Sequence, residues 1–225
     1  MNKTFEIEIK SLLGGKERAE SMVRAMKKDS SVRKAGTNKQ LNHYFVGNDL
    51  RLLAKNLAKH FSPAQRERLE ELASDVKDFS VRTRKADERI IFVLKVTVDD
   101  TTSENGTARL EFEVEIKNMS LPDLDKIILD SGFHYQAKWS REREEYKYKG
   151  LNVMIDKNAG YGYLAEFEKN IEDESKAEET KKEIRAVMKI LGAEELPQDR
   201  LARMFDHYNK NWRDYYGTEK TFIIE

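Results

Sequence analysis

Carboxylates and cations recur at alternate positions in several short stretches of this 225-residue chain. Glu6, Glu8 and Lys10 lie in "FEIEIK", Arg109, Glu111, Glu113, Glu115 and Lys117 in "RLEFEVEIK", and Glu166 and Glu168 in "YLAEFEK". Arg82 and Arg84 occupy "FSVRTRK", Lys95 sits in "FVLKV", and Arg141 and Arg143 are paired in "KWSREREEY". Paired carboxylates offer oxygen ligands to a hard divalent cation such as Mg²⁺. Paired arginines present planar forks that suit a phosphate chain. Brought together, the two sets would let a divalent ion bridge carboxylates and substrate phosphates.

Elements must place these groups. Alternation of charged and apolar residues is strand patterning, with one set on each face. It predicts strands over 5–10, 41–46, 79–85, 89–98, 108–117, 138–148, 151–157 and 162–169, the third and fourth joined by a short Ala-Asp-Glu turn and the fourth and fifth by loop 99–106. Helical spacing falls on 16–28, on 121–130 with Ser120 as N-cap and Gly132 beyond its end, and on 173–191 and 198–210. Between the second and third strands, 50–61 and 63–79 read as a helical hairpin inserted over about 48–78, started by Ser62, Pro63 and Gln65. It could cover a site, dock a partner or pad the fold; padding is the favoured reading.

A solvated face on an ordinary antiparallel sheet is the plain alternative for any single strand. Two features weigh against it for the set. Charge is sorted by strand, acidic pairs on 5–10, 108–117 and 162–169 and basic ones on 79–85, 89–98 and 138–148, and the alternate basic pairs are arginine, which a solvated face has no reason to prefer. The expectation is an α+β fold: a closed or nearly closed antiparallel β-barrel of about eight strands, charged inside and flanked by helices. So many interior charges require pairing or ligands.

Composition narrows the partners. Charged residues make up 36%, but 41 Lys+Arg balance 41 Asp+Glu, so no general footprint for nucleic acid or an anionic membrane exists. With no cysteine, disulfides, thiolate nucleophiles and zinc–thiolate sites are excluded. "MNKTFEIEIK" lacks the apolar core of a signal peptide and no run approaches a membrane span, so a cytoplasmic protein is expected, monomer or homodimer. His43, His60, His134 and His207 show no ligand spacing and read as surface or capping residues, while Trp212, Tyr215 and Tyr216 read as an anchor docking the tail against the barrel.

The order Glu6-x-Glu8-x-Lys10, Arg82-x-Arg84, Lys95, Arg109-x-Glu111-x-Glu113, Arg141-x-Arg143 before Tyr146, Asp156, and Glu166-x-Glu168 after "GYG" resembles the CYTH superfamily, the triphosphate tunnel metalloenzymes. The resemblance runs from about residue 3 to 170 and implies one CYTH-like domain over 1–225. It implies that Glu6, Glu8, Glu166 and Glu168, with Asp156, ligate one or two Mg²⁺ or Mn²⁺ ions, supported by Glu111 and Glu113. It implies that Lys10, Arg82, Arg84, Lys95, Arg109, Arg141 and Arg143 hold a triphosphate, with Glu6, Glu8, Lys10, Glu166 and Glu168 forming the catalytic set. Two departures stand out: "HYFV" at 43–46 lacks the acid many relatives carry after the aromatic pair, and Lys157 follows Asp156 where an acid is common. The family includes class IV adenylyl cyclases, thiamine triphosphatases and inorganic triphosphatases. Hydrolysis of a triphosphate (inorganic, nucleoside or thiamine) is favoured because it needs only water, where cyclisation of ATP to cyclic AMP and pyrophosphate needs a folded nucleoside. A non-catalytic polyphosphate- or nucleotide-binding module is the third alternative.

Overall fold

β1 (Phe5–Gly14) sets the pattern for the whole sheet. Ile7 and Ile9 are fully buried on its outer face, while Glu6, Glu8 and Lys10 share the other. In this computed structural model, which describes residues 5–74, 76, 78–97 and 109–225, the same division runs around a closed barrel. The 99–106 loop and the far ends of the strands expected over 89–98 and 108–117 lie outside the described residues, as do the Thr97 and Arg109 side chains.

The elements follow in the order β1, α1 (Lys16–Lys27), β2 (Arg33–Val46), α2 (Leu50–Leu57), α3 (Pro63–Ser74), β3 (Phe79–Ala86), β4 (Arg89–Thr97), β5 (Arg109–Glu115), α4 (Leu121–Asp130), β6 (His134–Tyr148), β7 (Leu151–Asn158), β8 (Gly162–Ile171), α5 (Ala177–Ile190) and α6 (Gln198–Tyr215). Around the barrel the strands run β1-β5-β4-β3-β2-β6-β7-β8, with β8 closing on β1. Every pairing is antiparallel.

The largest apolar cluster lies outside this barrel, while a small one of Ala86, Ile91 and Val93 shares the inner face with Arg82, Arg84 and Glu113. Ile7, Ile9, Val81, Phe92, Leu94, Val153 and Phe167 form the outer cluster with Met22 and Met26 of α1, Leu124 and Ile128 of α4, and Ile184 and Met188 of α5. The α2–α3 hairpin adds Leu50, Leu53, Leu57, Leu69 and Leu72 to the same core, and Phe61 meets the rings of Phe92 and Phe112 at 6.0 and 5.7 Å. It therefore packs on the outer wall, away from the charged interior. Its start signal is realised: Ser62 N–H donates to Gln65 Oε1 at 2.9 Å and Gln65 N–H to Ser62 Oγ at 3.4 Å. Ser120 caps α4 in the same reciprocal way with Asp123. Among the described residues no helix is long and apolar enough to cross a membrane.

Three strands run four residues or more beyond their patterning: β1 continues to Gly14, not 10, and β2 and β6 start early. β2 begins at Arg33, not 41, because its polar first half pairs along β6 from Arg33↔Lys147 onward. β6 begins at His134, soon after Gly132 (φ +84°) turns the chain out of α4. In the first half of β2 the ladder is supplied by β6 and both faces are mostly polar, so no apolar alternation marks it.

The histidine expectation fails at His43. This side chain is buried on the outer face of β2, its Nδ1 2.6 Å from Asp125 Oδ2 of α4 and its Nε2 2.8 Å from the Tyr216 hydroxyl. Asp125 also accepts from Thr83 Oγ1 at 2.6 Å and Tyr135 Oη at 2.8 Å. Burial pushes its carboxyl up, but the hydrogen bonds from His43 and Thr83 hold it below the usual range. Asp125 thus pins the residue between Arg82 and Arg84 and, through His43, the residue beside Tyr44 and the end of α6.

Candidate active site inside the barrel

Side chains two strands apart in a flat sheet start about 9–10 Å apart and do not meet. Here they do. Lys95 Nζ of β4 lies 2.7 Å from Glu6 Oε1 of β1, across β5. Arg84 of β3 reaches Glu113 of β5 at 3.1 Å, across β4, and Arg143 of β6 bonds Glu166 of β8, across β7. Such contacts require the concave side of a curved sheet. The barrel brings Glu6, Glu8, Lys10, Arg82, Arg84, Lys95, Glu111, Glu113, Arg141, Arg143, Asp156, Glu166 and Glu168 into one interior, and Arg84, Glu111, Glu113, Arg143 and Glu168 among them line a cavity of about 360 Å³.

The interior is sorted into two regions. Carboxylate oxygens of Glu6, Glu8 and Glu168 lie within 4.8 Å of one another, the register placing Glu8 directly opposite Glu168. Three hard oxygen donors at this spacing fit a divalent cation such as Mg²⁺ or Mn²⁺. Burial pushes the Glu6 carboxyl up, but the Lys95 ammonium and a hydrogen bond shared with Glu111 hold it down at about 2. Glu168 is raised by burial and by the charge of Glu6.

Glu111 is pushed up to about 7 by burial, against Lys95, with the Glu6 charge adding to the rise. A carboxyl whose folded pKa lies above its unfolded value stabilises the fold below the unfolded pKa and loses that contribution as pH climbs through the folded one. Metal-free protein is therefore expected to lose about 1–3 kcal/mol from this source between about pH 4.5 and 7. Urea melts across that range are the check, with Glu111→Gln flattening the dependence; an unaltered profile in the variant would dismiss Glu111 as its source.

The basic region is held by fixed acceptors. Arg143 donates from Nε and Nη2 to both oxygens of Asp156 at 2.7 and 2.6 Å, and Arg141 Nη1 reaches Asp156 Oδ2 at 2.8 Å. Asp156 is 0% exposed. In this arrangement Asp156 and Glu166 do not join the three-carboxylate cluster expected to include them: Asp156 is taken by the two arginines, and Glu166 by Arg143, Arg141 and Lys10. Lys10 also bonds Glu8. Arg84, lining the cavity, carries less compensation: burial and the charges of Arg82, Arg141 and Arg143 oppose the Glu113 carboxylate and bring it down to about 9. It remains charged at neutral pH, a cation with attraction to spare for an anion.

Several interior residues carry no mark in a charge pattern. Asn42 Oδ1 accepts from Arg84 Nε at 2.9 Å and Gln40 Oε1 from Arg141 Nε at 2.8 Å. With Asn38 and Tyr44 they form an alternate-residue polar row on β2, the signal available in "TNKQLNHYF". At one end Tyr208 of α6 stacks on Trp139 with ring centroids 3.7 Å apart. Trp139, two positions before Arg141 on β6, shares its interior face. Gly160 (φ +82°) admits this packing, since a Cβ there would stand 2.7 Å from the Tyr208 ring. Trp212 and Tyr215 pack into the same aromatic cluster, as the anchor reading expects.

The model of the CYTH domain matches residues 70–200, more than half of the chain. The chain belongs to the CYTH family. Its fold is also that of solved structures at low sequence identity. A conserved hypothetical protein from Pyrococcus furiosus superposes with a TM-score of 0.61 at 20% identity, covering 84% of this chain and 91% of that one. A candidate adenylate cyclase from Vibrio parahaemolyticus gives 0.57 at 12% identity, covering 88% and 98%. A candidate adenylyl cyclase from Hippeastrum, described as having a dominant triphosphatase activity, gives 0.53 at 18% identity, covering 90% and 96%. No curated protein matches the sequence significantly. CYTH membership and these superpositions agree on the closed, charge-lined barrel described above.

Proposed function

We propose that this CYTH protein is a divalent-metal-dependent enzyme that hydrolyses a triphosphate-bearing substrate inside the barrel. The observation that carries the proposal is the carboxylate trio Glu6, Glu8 and Glu168 in one interior with the guanidinium groups of Arg82, Arg84, Arg141 and Arg143. Phosphoryl transfer is largely positioning and charge stabilisation, and this interior supplies both.

Glu6, Glu8 and Glu168 would hold Mg²⁺ or Mn²⁺, which when bound neutralises charge on phosphate oxygens. The protein's own groups do the rest. Arg84 and Arg82 bind the phosphate oxygens as forks. Arg141 and Arg143, with Lys10 and Lys95, flank the chain, their guanidinium planes fixed beforehand by Asp156 and Glu166. This fixation lowers the reorganisation needed when substrate enters. Glu113 and Glu111 keep Arg84 and Lys95 oriented in the meantime. Closure of one end by α6 restricts water around the reacting phosphates.

Cyclisation of ATP remains the competing chemistry, favoured by the description of the Vibrio relative as a candidate adenylate cyclase. Incubation with Mg²⁺ or Mn²⁺ and, separately, tripolyphosphate, thiamine triphosphate and ATP decides between them. Orthophosphate with the matching diphosphate is the expected product. Cyclic AMP with pyrophosphate would replace the hydrolase reading, and binding without any product would leave a polyphosphate- or nucleotide-binding module.

A further inference from the structure

β2 lies between β3 and β6, the strands that carry Arg82, Arg84, Arg141 and Arg143. The register sets each inward residue of β2 directly across from one of these arginines: Asn38 from Arg143, Gln40 from Arg141, Asn42 from Arg84 and Tyr44 from Arg82. Elsewhere the interior meets its cations with carboxylates, as Glu6 meets Lys95 and Asp156 meets Arg143. Over 38–44 the inward face of β2 offers none. Asp and Glu match Asn and Gln in size, so the preference for amides here is chemical and not steric.

Three of the four neutral groups accept from the arginine across from them. Gln40 Oε1 takes Arg141 Nε at 2.8 Å, Asn42 Oδ1 takes Arg84 Nε at 2.9 Å and Tyr44 Oη takes Arg82 Nη1 at 2.8 Å. The amides also bond along the strand in a single direction. Asn42 Nδ2 donates to Gln40 Oε1 at 3.4 Å, Gln40 Nε2 to Asn38 Oδ1 at 2.7 Å, and Asn38 Nδ2 to Glu145 Oε1 at 2.9 Å. That direction is forced at both ends, because a guanidinium only donates and a carboxylate only accepts. The buried Asn42 and Gln40 are thereby kept with their oxygens toward the arginines. A carboxylate partner fixes a guanidinium and offsets its charge; an amide or phenol oxygen fixes it and leaves the charge. Arg143, held by Asp156 and Glu166, has the first arrangement. Arg84, with Asn42 at Nε and the more exposed Glu113 at Nη1, is closer to the second.

We propose that the neutral inward row of β2 is a positioning device: Gln40, Asn42 and Tyr44 hold Arg141, Arg84 and Arg82 in a fixed array while leaving their charge to an incoming anion. The proposal rests on the hydrolase reading and adds to it three residues that carry no charge. Arginines on free side chains would bring the same charge but lose rotamer freedom when the anion binds, a cost that forks fixed beforehand avoid. The row acts through the arginines. Gln40 and Asn38 are among the residues lining the cavity and Asn42 is not, so an effect of Asn42 on a ligand there must pass through Arg84.

The test removes the acceptor and then the arginine it serves. Asn42→Leu keeps the size of the side chain and is expected to raise the KM for tripolyphosphate with Mg²⁺ about 5–10-fold, with kcat held within about twofold. In an Arg84→Ala background the same substitution should change KM less than about twofold, because nothing remains for it to orient. Tyr44→Phe keeps its ring and should behave as Asn42→Leu does, through Arg82. Asn42→Asp keeps the acceptor but adds a charge, and should weaken binding at least as much as Asn42→Leu. Calorimetric Kd values for tripolyphosphate in metal-free protein are expected to follow the same order. Wild-type KM and Kd in Asn42→Leu and Tyr44→Phe, with any change confined to Tm, would reduce the row to packing and overturn the proposal. An equal effect of Asn42→Leu with and without Arg84 would overturn it too, as would wild-type binding by Asn42→Asp, which would make the neutrality of the acceptor irrelevant. Turnover of tripolyphosphate by wild type in any of these cases would keep the hydrolase reading intact. Binding without turnover, in the expected order of Kd, would remove that reading and support the row. Failure of wild type to bind any triphosphate would remove both.

Discussion

Glu168→Gln is expected to lower metal-dependent turnover by about 10³-fold or more, the loss that follows when charge neutralisation worth several kcal/mol disappears. The substitution keeps the shape of the side chain and its contact with Asn152, whose Nδ2 lies 3.2 Å from Glu168 Oε1. It removes only a charge from a trio in which Glu8 stands opposite and Glu6 within reach. Burial, and after it the charge of Glu6, raises the Glu168 carboxyl, so its ionised form is a cost in the metal-free chain. The variant should accordingly melt no lower than wild type without metal and lose the rise in Tm that Mg²⁺ or Mn²⁺ gives wild type. Glu8→Gln should behave alike. Full turnover in both variants, with metal-induced stabilisation retained, would refute the metal assignment.

How much of this was legible in the sequence differs by element. β1 and β8 were readable because each strand buries an apolar face under helices and turns charges inward, leaving a two-residue period in the letters. The first half of β2 was not, since residues 33–40 are mostly polar on both faces and are held by pairing with β6. The interior location of the charged set followed from charge sorting by strand, a feature no solvated face requires. The partition among carboxylates did not follow: spacing gives Asp156 and Glu166 the same standing as Glu168, and only three-dimensional neighbours show two of them occupied by arginines. His43 illustrates the same limit. A lone histidine has no period, and its partners Asp125 and Tyr216 stand 82 and 173 residues away. The tail aromatics were anticipated as an anchor, but Tyr208, which makes the stack on Trp139, was not.

The arginines allow binding and stability to be separated. Arg84 lines the cavity, keeps a charge only partly offset by Glu113, and has Asn42 as its other acceptor. Arg84→Ala leaves one half-exposed carboxylate and one amide behind, so little stability should be lost. Its absence deprives the phosphate chain of a charge-assisted fork, and the KM for a triphosphate should rise about 10–100-fold, the equivalent of a hydrogen bond to a charged group. Asp156→Ala should do the reverse first. It leaves the guanidinium groups of Arg141 and Arg143 with Glu166 as their one shared carboxylate beside a fully buried place that has lost its charge, and breaking one side of a buried pair costs about 3–5 kcal/mol, reduced here by the Glu166 that remains. A Tm drop of several degrees for Asp156→Ala is expected in the absence of ligand, and tripolyphosphate should recover part of it by supplying the missing negative charge between the two arginines. Equal ligand-induced shifts in Asp156→Ala and wild type would show that Arg141 and Arg143 do not face the phosphate chain, and an unchanged KM in Arg84→Ala would take the remaining basic contact away from it.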